Sequence, residues 1–140
     1  MSMYDDMQTS MNTKAGFNGN ISVEAKTWSL SGDANKGLKV ADMGKFLMEN
    51  NLGDAIINDG TKQPIGVASE VRVNCVLTTF KSQMIYVKCD SSSFAVGEPV
   101  YSDSSGLATS SGTIIAGYVL AGTELDNDGT TKIIKIRINL

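Results

Sequence analysis

Alternation of apolar and polar residues over short stretches constrains the fold of this chain more than any other feature. In the clearest stretch, at the end of the sequence, Ile134, Ile136 and Ile138 alternate with charged residues. A period of two places the apolar side chains on one face of a β-strand. Comparable stretches recur about every 8–12 residues with turn residues between them, and no long helical pattern intervenes. The sequence therefore predicts an all-β fold, a small β-barrel or β-sandwich of short antiparallel strands.

Two stretches in the middle of the chain predict a hairpin with one apolar face. Residues 71–75 and 85–89 both alternate, and turn residues near Ser82 separate them. If the turn centres on Ser82, Cys75 and Cys89 lie opposite each other and could form a disulfide on oxidation. The alternative is a pair of reduced, buried thiols, which is the usual state of cysteines in a cytosol.

Further strands are predicted from shorter patterns. Pro99 lacks an amide hydrogen, which places its strand at a sheet edge or places Pro99 at the start of the strand. Residues 44–48 also fit one helical turn, but a strand is preferred. The additional strands are predicted at residues 21–30, 38–41, 44–48, 54–58, 64–68, 96–101 and 114–120.

The first 20 residues differ in pattern from the rest and predict an extended or short-helical N-terminal arm, followed by a single β-domain at residues 21–140. Met3, Tyr4, Met7 and Met11 share one face at helical spacing. A helix of about nine residues is not stable alone in water. The segment is therefore either a frayed terminus or an arm that orders against a partner, and residues 14–20, which contain two glycines, predict a hinge.

Composition and charge argue against several functions. The chain has no histidine, which removes the commonest general base and zinc ligand, so neither an enzyme nor a metal or other cofactor is expected. The net charge of −3 argues against a nucleic-acid partner. No apolar run is long enough for a membrane span and no signal peptide is evident, so synthesis in a cytosol is expected. Asp126 and Asp128 begin a calcium-loop pattern that lacks its final glutamate, which favours a simple turn.

A weak internal repeat is visible in the sequence. Gly37 and Gly97 each begin a Gly-x-x-Val pattern, and each is followed by an apolar-Gly-apolar element at Gly66 or Gly117. An alternating strand then follows in both halves, at residues 71–75 and 134–140. Glycines inside strands indicate bulges or the close approach of another backbone.

These motifs resemble those of a known family. The Gly-x-Pro-Val-Tyr strand at residues 97–101, the acidic turn at 103–106, the strand around Gly117 and the terminal alternating strand resemble the decoration, or cement, proteins of tailed bacteriophage capsids. The Pro-Ile-Gly-Val sequence at residues 64–67 is similar to another element of that family. The resemblance covers roughly residues 35–140.

The resemblance implies a structural virion protein that binds the outside of a phage capsid and bridges major capsid subunits. It also implies a homo-oligomer, either a trimer or a dimer, that is made in the host cytoplasm. The candidate capsid or oligomer contacts are Met3, Tyr4, Met7, Met11, Phe17 and Trp28, and a core position is the alternative for Trp28. Deletion of residues 1–16 is expected to leave folding unchanged and to abolish capsid binding.

A second hypothesis is a phage tail or fibre β-module that binds a host-surface glycan or another virion protein. A glycan site needs exposed aromatic rings beside carboxylates and amides. Trp28 and Tyr101 are the only plausible platform for such a site, and they are distant in sequence.

Overall fold

The regular secondary structure of the described residues is almost entirely β-strand. The structure, a computed structural model, describes residues 14–16, 25–29, 37–71, 75–79 and 84–139. Within these ranges, no helix is long and apolar enough to cross a membrane. The all-β prediction is confirmed, whereas residues 1–13 and 17–20 of the arm predicted at residues 1–20 lie outside the described residues. The elements are β1 (Ala25–Ser29), a 3₁₀ helix (Val40–Asp42), β2 (Phe46–Glu49), β3 (Ala55–Ile57), β4 (Gly66–Val71), β5 (Cys75–Thr79), β6 (Met84–Lys88), β7 (Pro99–Ser102), β8 (Ala108–Thr109), β9 (Ile115–Leu125) and β10 (Lys132–Ile138).

The strands form two five-stranded sheets in a sandwich-like arrangement. The strand orders are β1-β5-β4-β2-β3 and β6-β10-β9-β7-β8. Every neighbouring pair is antiparallel. Phe46 and Val67 of the first sheet belong to the same buried cluster as Ile85, Val100 and other residues of the second sheet. This shared cluster holds the two sheets together, because it removes apolar surface of both from water.

The second sheet repeats the first, strand for strand. Substituting β6 to β10 for β1 to β5 converts one strand order into the other. We call β1–β5 the first unit and β6–β10 the second unit. Leu47 pairs with Gly66 in the first unit as Val100 pairs with Gly117 in the second. The pairing of β4 with β5 slips one residue after Ala68, and the pairing of β9 with β10 slips at the corresponding place.

The hairpins that join β2 to β3 and β7 to β8 have the same construction. The Asn50 side-chain oxygen accepts hydrogen bonds from the amides two and four residues later, both at 2.9 Å. Asp103 accepts the equivalent pair at 2.8 and 3.0 Å. Gly53 and Gly106 then take the left-handed conformation, with φ of 82° and 78°. Asn and Asp are typical of such turns because their side chains bond the nearby backbone.

A second shared turn corrects the predicted register of the repeat. The Gly44 amide donates to the Ala68 carbonyl at 2.8 Å, and the Gly97 amide donates to the Val119 carbonyl at the same distance. Both glycines have φ near 88°, at 87° and 88°. Gly97 is therefore equivalent to Gly44 and not to Gly37, which precedes the 3₁₀ helix.

Each unit has a core built from equivalent positions. In the first unit, Leu47, Ala55, Ala68 and Val76 belong to one buried cluster. Their counterparts by strand pairing are Val100, Ala108, Val119 and Ile134, all of which are buried in the other cluster. β3 and β8 both place an alanine at the equivalent buried position, Ala55 and Ala108.

The predicted hairpin at residues 71–89 is wrong. β5 pairs with β1 and β4, whereas β6 pairs with β10, so the two stretches lie in different sheets. The chain already turns between Val71 and Val76, which pair with each other. Apolar alternation identifies a strand but not its partner, which is why the error arises.

Two further strand predictions can be compared with the structure, at residues 38–41 and at Pro99. The predicted strand at residues 38–41 is also wrong, because a 3₁₀ helix begins at Val40. Pro99 does stand at the first position of β7, as predicted.

Candidate functional site

Most of the candidate contacts from the sequence lie outside the described residues. This holds for Met3, Tyr4, Met7, Met11 and Phe17. Trp28 is in β1, at the edge of the first sheet, where it pairs with Val76. Tyr101 is in β7 of the second sheet. The structure therefore places the two aromatic residues considered for a glycan platform in different sheets.

The segment at residues 14–16 is packed against the folded body, whereas residues 17–20 of the predicted hinge lie outside the described residues. The buried Asp126 carboxylate accepts hydrogen bonds from the amides of Lys14, at 2.6 Å, and Ala15, at 3.3 Å. The Gly16 amide donates to the Tyr86 carbonyl at 2.7 Å. Ala15 is only 1% exposed. We call residues 14–16 the arm root, because they fix the point at which the first 13 residues of the chain meet the body.

An exposed ion pair lies beside the arm root. The Lys14 ammonium is 2.7 Å from the Glu124 carboxylate and 4.5 Å from the centre of the Tyr86 ring. The hydrogen bond to Glu124 is the main cause that raises the pKa of Lys14 above its ordinary value. Because exposed pairs are weakened by water and salt, most of the anchoring comes from the buried hydrogen bonds to Asp126.

The arm root lies at the joint between the two units. A side chain at Gly44 would collide with the Ala15 side chain, at 2.4 Å, so the glycine and the arm root are in direct contact. The neighbouring Lys88 amide of the second unit donates to the Gly44 carbonyl at 2.9 Å. The Lys88 ammonium donates to the Ala41 carbonyl, and burial followed by repulsion from Lys45 lowers its pKa. One backbone and one side-chain hydrogen bond, both donated by Lys88, therefore tie the second unit to the first at this turn.

The tip of the β7–β8 hairpin forms the other half of the joint. The Gly106 carbonyl accepts a hydrogen bond from the Phe46 amide at 2.8 Å. A Cβ atom at Gly106 would lie 2.9 Å from the Ile57 side chain and 3.3 Å from Lys45 Cβ. The tip of the second unit is thus seated on the first unit, and only glycine fits at the contact.

Cys89 is an unreactive thiol. It is buried and free, and therefore does not form the disulfide considered from the sequence. Burial, followed by the nearby Asp90 charge, raises its pKa to about 11. The thiolate is the reactive form of cysteine, so this side chain stays protonated at neutral pH.

The carboxylates at residues 126–128 are occupied in turn formation. Asp128 accepts hydrogen bonds from the amides of Thr130 and Thr131, at 2.9 and 2.8 Å, and from the Thr131 hydroxyl, at 2.5 Å. This agrees with a simple turn at the end of β9. The described residues contain no group of three or more acidic, cysteine or histidine side chains that could hold a metal ion.

The turn predicts an acid-sensitive contribution to stability. The Thr131 hydroxyl is the main cause that lowers the pKa of Asp128 from 3.8 to about 2. A carboxyl with a lowered folded-state pKa stabilises the fold above the unfolded value, so this contribution is complete above about pH 4 and is lost as pH falls through about 2. A carboxyl carbon NMR titration is expected to show a midpoint near 2 for Asp128. Thr131→Val should raise that midpoint, whereas an unperturbed midpoint in the unmodified protein would contradict the prediction.

Several large apolar side chains are exposed in the part of the chain that the structure describes. Leu52, at the tip of the β2–β3 hairpin, is 84% exposed, Val96 is 70% exposed and Tyr118 is 39% exposed. Met84 and Leu125 are the others. The sequence reasoning missed Leu52, and the available signal was a single leucine in an otherwise polar turn.

Comparison with known proteins assigns the chain to no family. No family model matches it, and no curated protein matches it significantly.

Proposed function

We propose that this protein binds the outer surface of a tailed-bacteriophage capsid and stabilises it by bridging major capsid subunits. In this role the β-body is a rigid spacer, and the N-terminal arm carries Met3, Tyr4, Met7 and Met11 to the capsid. The motifs around Gly97, Pro99 and Gly117 support the assignment through their resemblance to decoration proteins. The protein is made in the host cytoplasm and resides on the virion exterior.

The observation that carries the proposal is the anchored arm root. The Asp126 carboxylate and the Tyr86 carbonyl hold residues 14–16 by accepting hydrogen bonds from three backbone amides, at 2.6, 3.3 and 2.7 Å. A tether fixed to a rigid body delivers its apolar side chains at a high effective concentration once the body touches the shell. Several modest contacts per oligomer then add to a firm attachment.

The arm root also changes the design of the deletion experiment. Removing residues 1–16 would leave Asp126 without the Lys14 and Ala15 amides and would uncover Gly44. Deletion of residues 1–16 is therefore expected to disturb folding. A shorter deletion, of residues 1–13, preserves the arm root and is the better test of the arm.

Deletion of residues 1–13 is expected to weaken capsid binding at least about tenfold while leaving thermal unfolding unchanged, because the apolar side chains of the arm are lost and the arm root remains. Binding is measured by co-sedimentation with matured capsids that lack the protein. The matched pair of full-length variants is Met3→Ser, Met7→Ser, Met11→Ser against Ser2→Ala, Gln8→Ala, Thr9→Ala. The first should reproduce the deletion, and the second should bind like the unmodified chain.

Saturable binding at a fixed ratio to the major capsid protein would support decoration. Unchanged binding after the deletion would contradict the role of the arm but not decoration itself. Failure of the full-length protein to bind matured shells would contradict decoration. It would favour a tail or fibre module, which a glycan-array screen would then test.

A further inference from the structure

Within the described residues, the second unit covers one surface of the first unit, but the equivalent surface of the second unit is exposed. Phe46 and Val67 are 0% exposed because residues of the second unit pack over them. By strand pairing, Pro99 corresponds to Phe46 and Tyr118 to Val67. Tyr118 is 39% exposed, and the nearby Val96 is 70% exposed. We call the surface formed by Val96, Pro99 and Tyr118 the receiving surface.

An open cavity lies where a hairpin tip would sit on the receiving surface. In the first unit, Gly106 of the second unit is seated against Lys45, Phe46 and Ile57. The corresponding residues of the second unit are Glu98, Pro99 and Ser110. All three line a cavity of about 320 Å³, together with Ser93, Phe94, Ala95, Tyr101 and Val119. The lining is mixed, and its apolar members, Phe94, Ala95, Pro99 and Val119, are the ones that an apolar knob from a partner would contact.

The matching knob lies on the first unit. Gly53 corresponds to Gly106, and a Cβ atom at Gly53 would meet only the Glu49 side chain of its own hairpin, at 3.6 Å. The adjacent Leu52 is 84% exposed. The hairpin tip of the first unit is therefore free, among the described residues, of the contact that its counterpart makes. As far as the described residues go, a monomer thus presents one unused tip and one unused seat.

The residue differences between the two units are consistent with this pairing. Inside the chain, the Phe46 amide bonds the Gly106 carbonyl, and the tip carries the polar Ser105. Pro99 has no amide hydrogen, so the same hydrogen bond cannot form on the receiving surface. The tip that would occupy it carries Leu52 in place of a serine. Apolar burial replaces the hydrogen bond as the main source of affinity.

We propose that the receiving surface and its cavity bind the β2–β3 hairpin tip, centred on Leu52, of a second copy of this chain. The contact joins unlike surfaces, so copies associate head to tail and form a ring if the rotation closes. Each contact repeats between chains the arrangement that already joins the two units within a chain. This inference does not depend on the proposed function, since it concerns the free protein in solution.

The test is the oligomeric state of the full chain, measured by sedimentation equilibrium. Leu52→Asp removes the apolar side chain and places a negative charge in a cavity that Glu98 also lines, and is expected to weaken association at least about tenfold. Ala95→Arg changes the receiving side of the contact, where Ala95 lines the cavity, and should weaken association to a similar extent. Leu125→Asp is the matched control, because Leu125 is also exposed, at 56%, but lies at the far end of β9. At a concentration where the unmodified protein is monomeric, all three variants should unfold at its temperature, because association itself would add stability.

Mixing the two defective variants distinguishes this contact from any other. The Leu52→Asp chain keeps an intact seat and the Ala95→Arg chain keeps an intact tip, so the mixture should form one good contact and give mixed dimers. Each variant alone should associate at least about tenfold more weakly than the unmodified chain. The proposal would be overturned by an unmodified protein that stays monomeric at every concentration reached, by Leu52→Asp associating like the unmodified chain, or by a mixture that stays monomeric.

Discussion

Gly117→Ala is expected to lower the free energy of unfolding by about 3 kcal/mol. Gly117 lies in β9, between β7 and β10, where it pairs with Val100 and Ile138. A Cβ atom there would be 2.4 Å from the Arg137 carbonyl oxygen, which is backbone and cannot move without disturbing the sheet. The loss comes from overpacking and weakened strand pairing.

Gly122→Ala is the matched control for Gly117→Ala, because Gly122 lies in the same strand and a Cβ atom there meets nothing within 4 Å. Its stability should stay within about 0.5 kcal/mol of the unmodified protein. Both changes are measured by urea unfolding with fixed slopes. Equal losses for the two variants would show that the close approach to Arg137 is not what constrains position 117.

Gly44→Ala is expected to cost about 2–3 kcal/mol, and Gly97→Ala only about 1 kcal/mol. The two glycines have nearly the same backbone conformation, so a Cβ atom adds similar strain at both. At Gly44 the new atom would also lie 2.4 Å from the Ala15 side chain, whereas at Gly97 nothing lies within 4 Å. The difference between the two losses therefore measures the packing of the arm root.

A second readout follows the arm root directly. Amide hydrogen exchange at Ala15 and Gly16 should become faster in Gly44→Ala and stay unchanged in Gly97→Ala, because only the first substitution displaces residues 14–16. Equal stability losses, or unchanged exchange in Gly44→Ala, would contradict the packing described for the joint.

The strands were predictable from the sequence where local patterns are sufficient. Ile134, Ile136 and Ile138 alternate, and all three are buried in β10. Pro99 marked the start of β7, and the glycine at 117 marked a close backbone approach. These features depend on side-chain direction, a missing amide hydrogen or missing volume, which the residue type alone determines.

The partners of the strands were not predictable in the same way. Residues 71–75 and 85–89 look like two arms of one hairpin because both alternate, yet β5 pairs with the preceding strand β4, and β6 pairs with β10, which is distant in sequence. The repeat was visible, but Gly37 was matched with Gly97 because the Gly-x-x-Val spacing recurs there. What distinguishes Gly44 is a left-handed turn that bonds Ala68, and such a bond joins residues far apart in sequence.

The candidate site shows the same limit. The exposed Leu52 and the cavity on the second unit are recognised as a matching pair only when the two units are aligned by their strand pairing. The sequence contained Leu52, but it contained no sign that Gly106, at the corresponding tip, was already buried against Phe46. The arm root was hidden too, because Asp126 is distant from Lys14 along the chain.

The separation of the two sheets along the chain has a consequence for how the protein is made. All strand pairs of the first sheet lie within β1–β5, so that sheet can form on the ribosome before β6 emerges. Translation adds about 5–20 residues per second, so the second unit follows within about ten seconds. During that interval Phe46 and Val67 have no cover from the second unit. Nascent chains on neighbouring ribosomes of one messenger RNA therefore expose this apolar surface to each other. Slower translation after β5 would lengthen the exposure and favour aggregation over correct folding.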